Sequence, residues 1–158
     1  MIDAPTILEI GIRLALATLL GGALGWERRT VGKPAGSRTM ILTAVGAATF
    51  ILAGLLIAAD AGGTGVVVDP TRVLSYIVVG VGFLGGGTIV HAKHDVHGLT
   101  TAASIWITAA VGAACGLGQY ALATLVAAIA FGSLQFLRPR KTQAPAEASG
   151  PASAPDAA

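Results

Sequence analysis

Five long apolar runs dominate this chain, and they leave little room for any fold but a bundle of membrane helices. They cover residues 7–24, 39–59, 73–90, 98–118 and 120–137. The last four hold no formal charge, and the first holds only Glu9 and Arg13. A spanning helix needs about 20 mostly apolar residues, within a range of roughly 17–25. A soluble domain is excluded on charge: 11% of residues are charged while 54% are apolar, against about 25% charged in soluble domains. The few basic residues also argue against a nucleic-acid partner, which demands clustered Lys and Arg to neutralise phosphates. The single cysteine, Cys115, excludes an intrachain disulfide framework.

The breaks between the runs carry stop and start signals. Residues 27–38, from Glu27-Arg28-Arg29 to Arg38, separate the first two runs. Asp69-Pro70 ahead of the third reads as an N-cap with proline at the first helical position. A polar stretch over residues 91–97 follows the third run, and Gly116-Leu117-Gly118-Gln119 makes a tight turn between the last two. Basic residues set the orientation. Placing the 27–38 loop, the 91–97 loop and the C-terminal segment on the cytosolic side puts eight of the ten basic residues there, leaving only Arg13 and Arg72 toward the other side. The expectation is an all-α polytopic membrane protein with five transmembrane helices, N-terminus out and C-terminus in, multi-pass in the bilayer. The first run does not read as a cleaved signal peptide, because Asp3 and Glu9 precede its first basic residue and the small-residue triplet Ala15-Leu16-Ala17 comes before most of the apolar stretch. Residues 1–141 are expected to form the membrane domain. Residues 142–158, rich in Ala and Pro, hold too little apolar surface to fold and read as a disordered cytosolic tail.

Polar groups within the apolar runs are the candidates for function. Glu9 and Arg13 share a helix face, four residues apart. A guanidinium deep in the bilayer costs about 2.5–3.5 kcal/mol on insertion scales, so Arg13 is either a snorkelling side chain paired with Glu9 or part of a polar cavity lining. Asp69 and Arg72 read as helix cap plus interfacial anchor, or as a charged gate. Five glycines fall within residues 80–87. Gly80, Gly82 and Gly85 match G-x-G-x-x-G, but the dinucleotide reading requires a strand before it and an acidic residue about 20 positions on; the run is uncharged and the next acid is Asp95. The block means either close helix packing or a broken helix lining a cavity. Thr101, Ser104, Thr108, Gly112 and Cys115 form a small, mostly polar stripe at helical spacing, suited to a helix interface or a polar path. Gly21-x-x-x-Gly25, Gly82-x-x-x-Gly86 and Gly112-x-x-x-Gly116 add three close-packing motifs. His91, His94 and His97 could ligate Zn²⁺, but in a short basic segment they read first as a solvated loop. No nucleophile–base pair stands out, so the chain is not expected to be an enzyme, and no cofactor is expected.

Five ordered blocks carry a family resemblance: Gly21-x-x-x-Gly25-Trp26-Glu27-Arg28; Gly36-Ser37-Arg38-Thr39; Asp69-Pro70-Thr71-Arg72; the glycine block from Gly80 through Gly82 and Gly85 to Ile89; and Gly98-Leu99-Thr100-Thr101 through Trp106. Together they resemble the MgtC/SapB family of bacterial inner-membrane proteins, over about residues 7–137. The resemblance implies a five-helix membrane domain linked to magnesium limitation, intramacrophage survival and, for the family's best-known members, restraint of the membrane ATP synthase. Virulence-type members carry a folded cytosolic domain after the membrane part; this chain is expected to be a short form without it. Gly86 stands where the family often has Ala.

Two functions compete for these residues. The first is a small regulator of a larger membrane complex, such as ATP synthase, or of magnesium and ion homeostasis. In it Arg38, Asp69, Arg72 and the Gly82–Gly87 block hold the fold or the contact surface. The second is a homo-oligomeric cation (Mg²⁺) transporter or channel subunit lined by Arg13, Asp69 and the stripe of the fourth run. The runs hold no central carboxylate of the kind a Mg²⁺ path would use.

Overall fold

The computed structural model describes residues 4–61, 69–92 and 95–137. Within them the chain forms α1 (Ile7–Thr30), α2 (Ser37–Ala61), α3 (Pro70–Gly86), β1 (Val90–Ala92), β2 (Asp95–His97), α4 (Leu99–Gly116) and α5 (Tyr120–Phe136). The expected tail, with Arg138, Arg140 and Lys141, lies outside the described residues, as do Lys93 and His94.

Local chemistry fixes the helix ends. Thr6 and Glu9 make a reciprocal capping box at the start of α1: Glu9 N–H donates to Thr6 Oγ1 at 3.3 Å, and Thr6 N–H donates to Glu9 Oε2 at 2.7 Å. At its other end, Gly32 takes φ +69°. Its N–H donates to Arg29 O, and Lys33 N–H donates to Arg28 O, both at 3.0 Å. This is a Schellman stop that only a glycine makes without strain. Asp69 opens α3 by accepting from Thr71 N–H at 2.9 Å and Thr71 Oγ1 at 2.7 Å, with Pro70 in the first turn.

Helix α4 is the hub, packed against all four other helices, while α2 packs against α1, α3 and α4. Glycines permit this. A Cβ at Gly21 would lie 2.9 Å from Ala44 Cβ, and one at Gly25 would strike the backbone of Ser37. On the opposite side of α2, a Cβ at Gly112 would strike Ala44 O, and one at Gly116 would lie 2.7 Å from Ala48 O. Ala44 is therefore held between two glycine-bearing helices, Ala48 lies against Gly116, and both alanines are fully buried. Two of the three close-packing motifs act as small-xxx-small interfaces.

The third does not. A Cβ at Gly80, Gly82 or Gly86 meets nothing within 4 Å, and only Gly85 touches α4, near Ala102. Helix α3 is unbroken through the block, so neither expected reading, tight packing throughout or a broken helix, holds for it. Its far face, with Phe83 at 83% exposed, looks outward.

Helices α1, α2 and α4 have 24, 25 and 18 residues and are long and apolar enough to cross a bilayer. Helices α3 and α5 are apolar but have 17 residues each, about 25 Å at 1.5 Å per residue, against a hydrocarbon core of about 30 Å. The chain is a helical membrane protein. A plain loop is expected over residues 91–97; instead the described residues there form two short antiparallel strands, pairing Val90 with His97, His91 with Val96 and Ala92 with Asp95.

Candidate functional site

The charged residues at the two ends of α1 have different surroundings. Near the N-terminal end, the sequence suggested a Glu9–Arg13 pair. Instead Glu9 serves the capping box, and Arg13 Nη1 donates to Gly116 O at 2.8 Å. Gly116 ends α4, whose last carbonyls lack intrahelical partners and carry the negative end of the helix dipole. Arg13 thus ties α1 to the end of α4, and the bare Gly118 lies against its guanidinium. Asp69 and Arg72 are exposed at the start of α3. The Thr71 hydroxyl and N–H hold the Asp69 carboxyl below the usual aspartate range, with a smaller contribution from Arg72. Among the described residues, no hydrogen bond or ion pair joins Arg13 to Asp69 or Arg72.

At the other end, Glu27 and Arg28 lie in the last turn of α1, not in the loop where the charge pattern placed them. Both are 3% exposed, with Arg28 Nη1 3.6 Å from Glu27 Oε2. Arg28 Nε and Nη2 are buried without a hydrogen-bond partner among the described residues. Buried polar atoms are nearly always satisfied, so a native exception calls for a reason. A groove of about 990 Å³ borders this pair, at the upper end of the size range for small-ligand pockets. Its polar end is made by Glu27, Arg28, Lys33 and Thr100; its walls are Trp106 of α4 and the apolar side chains of α5, among them Ile129 and Leu134.

Thr100 sits at the exposed start of α4, which opens at Gly98. Gly98 has φ +92°, and a Cβ there would strike Thr88 O, so the chain enters α4 only through glycine. No side chain caps this helix start. Thr101 is buried beside Thr100. The stripe on α4 is an interface: Thr101, Ser104, Thr108, Gly112 and Cys115 are all buried. Ser104 Oγ donates to Thr100 O at 2.6 Å, and Thr108 Oγ1 to Ser104 O at 2.7 Å, so these hydroxyls are satisfied within their own helix. Thr108 also lies 3.3 Å from Met40 Sδ on α2.

The remaining motif residues scatter. Arg38 and Thr39 are exposed on the first turn of α2 and do not line the groove. Gly82 faces outward, and Gly85 packs on α4. His91 and His97 fall on opposite faces of the hairpin by strand alternation, both exposed, so they cannot share an ion. The α5 wall of the groove had no sequence signal.

The motif blocks thus make real structure: the first places Glu27–Arg28, the third caps α3, and the last opens α4. The MgtC family profile matches residues 14–143. Protein MgtC of Brucella abortus is 44% identical over 126 residues, covering 80% of this chain and 50% of that protein. The "Putative magnesium transporter YhiD" of Escherichia coli K12 is 44% identical over 115 residues, 72% of this chain and 54% of its own. Protein MgtC of Salmonella choleraesuis is 39% identical over 142 residues, 88% of this chain and 58% of its own. The chain spans about half the length of these curated relatives. No solved structure matches it. With the profile covering most of the membrane bundle and relatives this similar, the chain belongs to the MgtC family.

Proposed function

We propose that this protein is a small, non-enzymatic regulator in the bacterial inner membrane, acting on a larger membrane complex or on magnesium and ion homeostasis. It crosses the bilayer five times, with its N-terminus outside and C-terminus in the cytosol, as the distribution of basic residues favours. The shorter α3 and α5 span by local thinning of the bilayer. ATP synthase is one candidate complex.

One observation carries the regulatory reading. The polar stripe of α4, the best candidate for an ion path, is buried against neighbouring helices, with the Ser104 and Thr108 hydroxyls bonded to their own helix backbone. A hydrated Mg²⁺ requires oxygen ligands and retained waters, and the buried carboxylate at hand, Glu27, lies at the end of α1 against Arg28 rather than along the α4 stripe. Interaction surfaces remain on the outside. The second reading, a homo-oligomeric transporter or channel subunit, draws on the Escherichia coli relative's magnesium-transporter name and on the outward face of α3, where a path could form between copies.

The purified full-length chain in liposomes holding a Mg²⁺-sensitive dye separates the two. The regulatory reading expects flux no greater than in empty liposomes under a Mg²⁺ gradient, together with recovery of a defined membrane complex from native membranes. Gradient-driven Mg²⁺ entry into protein-bearing liposomes alone sinks it. A reporter fused after Lys141 is expected to be active only in the cytosol; activity on the outer side overturns the orientation.

A further inference from the structure

The groove at the end of α1 has a charged end and apolar walls, and we infer that it holds an anionic phospholipid, headgroup beside Arg28 and Lys33 and one acyl chain along α5. This goes beyond the regulatory reading and requires only that the chain is a membrane protein.

Three independent features converge. First, Arg28 is 3% exposed, yet its Nε and Nη2 have no acceptor among the described residues. A guanidinium offers five donors in a fixed fork, well matched to phosphate oxygens. Arg28 is one of the side chains lining the groove, which sets its guanidinium at the groove's charged end. Second, Lys33 sits on the rim, placed there by the Schellman stop that folds the chain back after Gly32. The polar end thus holds two cations against the single carboxylate of Glu27. The start of α4, without a side-chain cap, adds backbone N–H groups and the positive end of a helix dipole near Thr100. Third, the walls running away from this end are mostly apolar, with Ser104 and Ser133 the polar exceptions; Ile129 of the wall is about 60% exposed, as is Leu125 one turn earlier on α5, outside the groove. Net positive charge at one end and an outward-opening apolar wall fit a molecule with an anionic head and a long hydrocarbon tail. A free anion leaves the wall unoccupied, and a wholly apolar ligand leaves Arg28 unsatisfied.

Trp106 lines the groove and gives the readout. With Trp26→Phe removing the other tryptophan, Trp106 fluorescence is measured for the full-length protein in vesicles of phosphatidylcholine that contain a small fraction of brominated lipid. The brominated lipid is either phosphatidylglycerol or phosphatidylcholine. The expected result is preferential quenching by phosphatidylglycerol, about fivefold in apparent affinity, the size expected for one cationic side chain at an anionic surface. Lys33→Gln, which leaves the buried pair intact, reduces the preference, and Arg28→Gln removes it. Because Arg28→Gln could disturb folding, Ala130→Phe serves as a second probe: it fills the wall without touching a charge and lowers quenching by both lipids. Equal quenching by both lipids in the parent protein overturns the inference. So does inorganic phosphate protecting Trp106 from brominated phosphatidylglycerol, which assigns the site to a free anion. If Ala130→Phe instead dissociates an oligomer while lipid preference is unchanged, the groove holds a second copy and the inference fails.

Discussion

Arg13 and Arg28 lie on the same helix, about 22 Å apart along its axis, and are used in opposite ways. Arg13 reaches another helix and closes it, donating to the end carbonyl of α4 at Gly116. Arg28 stays with its neighbour Glu27 and borders an open groove; among the described residues two of its nitrogens have no acceptor, against one, Nε, for Arg13. A charge in a membrane bundle can therefore be a staple or a receptor, and neither its position in sequence nor its burial tells which. The acceptors that the fold brings within reach decide it.

The largest expected effect comes from breaking the receptor end. Glu27→Gln leaves the buried Arg28 without its counter-charge, and losing one partner of such a pair costs about 3–5 kcal/mol. Thermal unfolding in neutral detergent micelles, followed by helical circular dichroism, measures the loss, and added anionic lipid is expected to restore part of it. Next is the packing that holds both ends in place. Gly112→Val pushes a side chain into the backbone of α2 at Ala44 and should cost about 1–3 kcal/mol or more. Gly82→Val, facing open space, should stay within about 0.5 kcal/mol. Equal losses would show that α3 packs in the membrane as tightly as α4 does.

Breaking the staple ranks third. Arg13→Met removes the donor from the Gly116 carbonyl, with an expected loss of about 1–3 kcal/mol. The same unfolding assay reads it, and the lipid preference of Trp106 should be unchanged, because the groove lies at the other end. The smallest effect is at Asp69. Its folded-state pKa is lowered, so the stability it adds as a charged cap is present above the unfolded-state pKa and lost as pH falls through the folded one. Asp69→Asn keeps a good N-cap but does not titrate. The acid side of the stability profile should flatten in this variant while the neutral plateau changes little.

Much of this bundle is legible in its residues, for physical reasons that also mark where the reading stops. Asp69-Pro70 predicts the start of α3 because an N-cap and its proline act locally. Gly21, Gly25, Gly112 and Gly116 predict close contacts, and those contacts exist. Gly80, Gly82 and Gly86 look the same in sequence yet face outward, because a small residue permits an approach without supplying the neighbour. The charges of Glu27 and Arg28 predict a loop, because charges usually stop a span. Helix α1 runs six residues past the apolar stretch, to Thr30, before Gly32 ends it. The α5 wall of the groove was invisible for a different reason: α5 is apolar all round, so no periodicity distinguishes the face that packs from the face that lines a cavity. The strands β1 and β2 leave no signal in sequence because they have three residues each, too few to show an alternating pattern.

The account stands on a dry interior with chemistry at the edge. Its most direct test is thiol accessibility in proteoliposomes, on a Cys115→Ala background. Thr108→Cys lies at the fully buried centre of the α4 stripe, and Thr100→Cys at the exposed mouth of the groove. With a water-soluble methanethiosulfonate reagent on both sides of the membrane, position 100 is predicted to react and position 108 to stay unmodified. Rapid modification at position 108 would contradict the account, because it would put water along the stripe where the packed interface between α4 and α2 should exclude it.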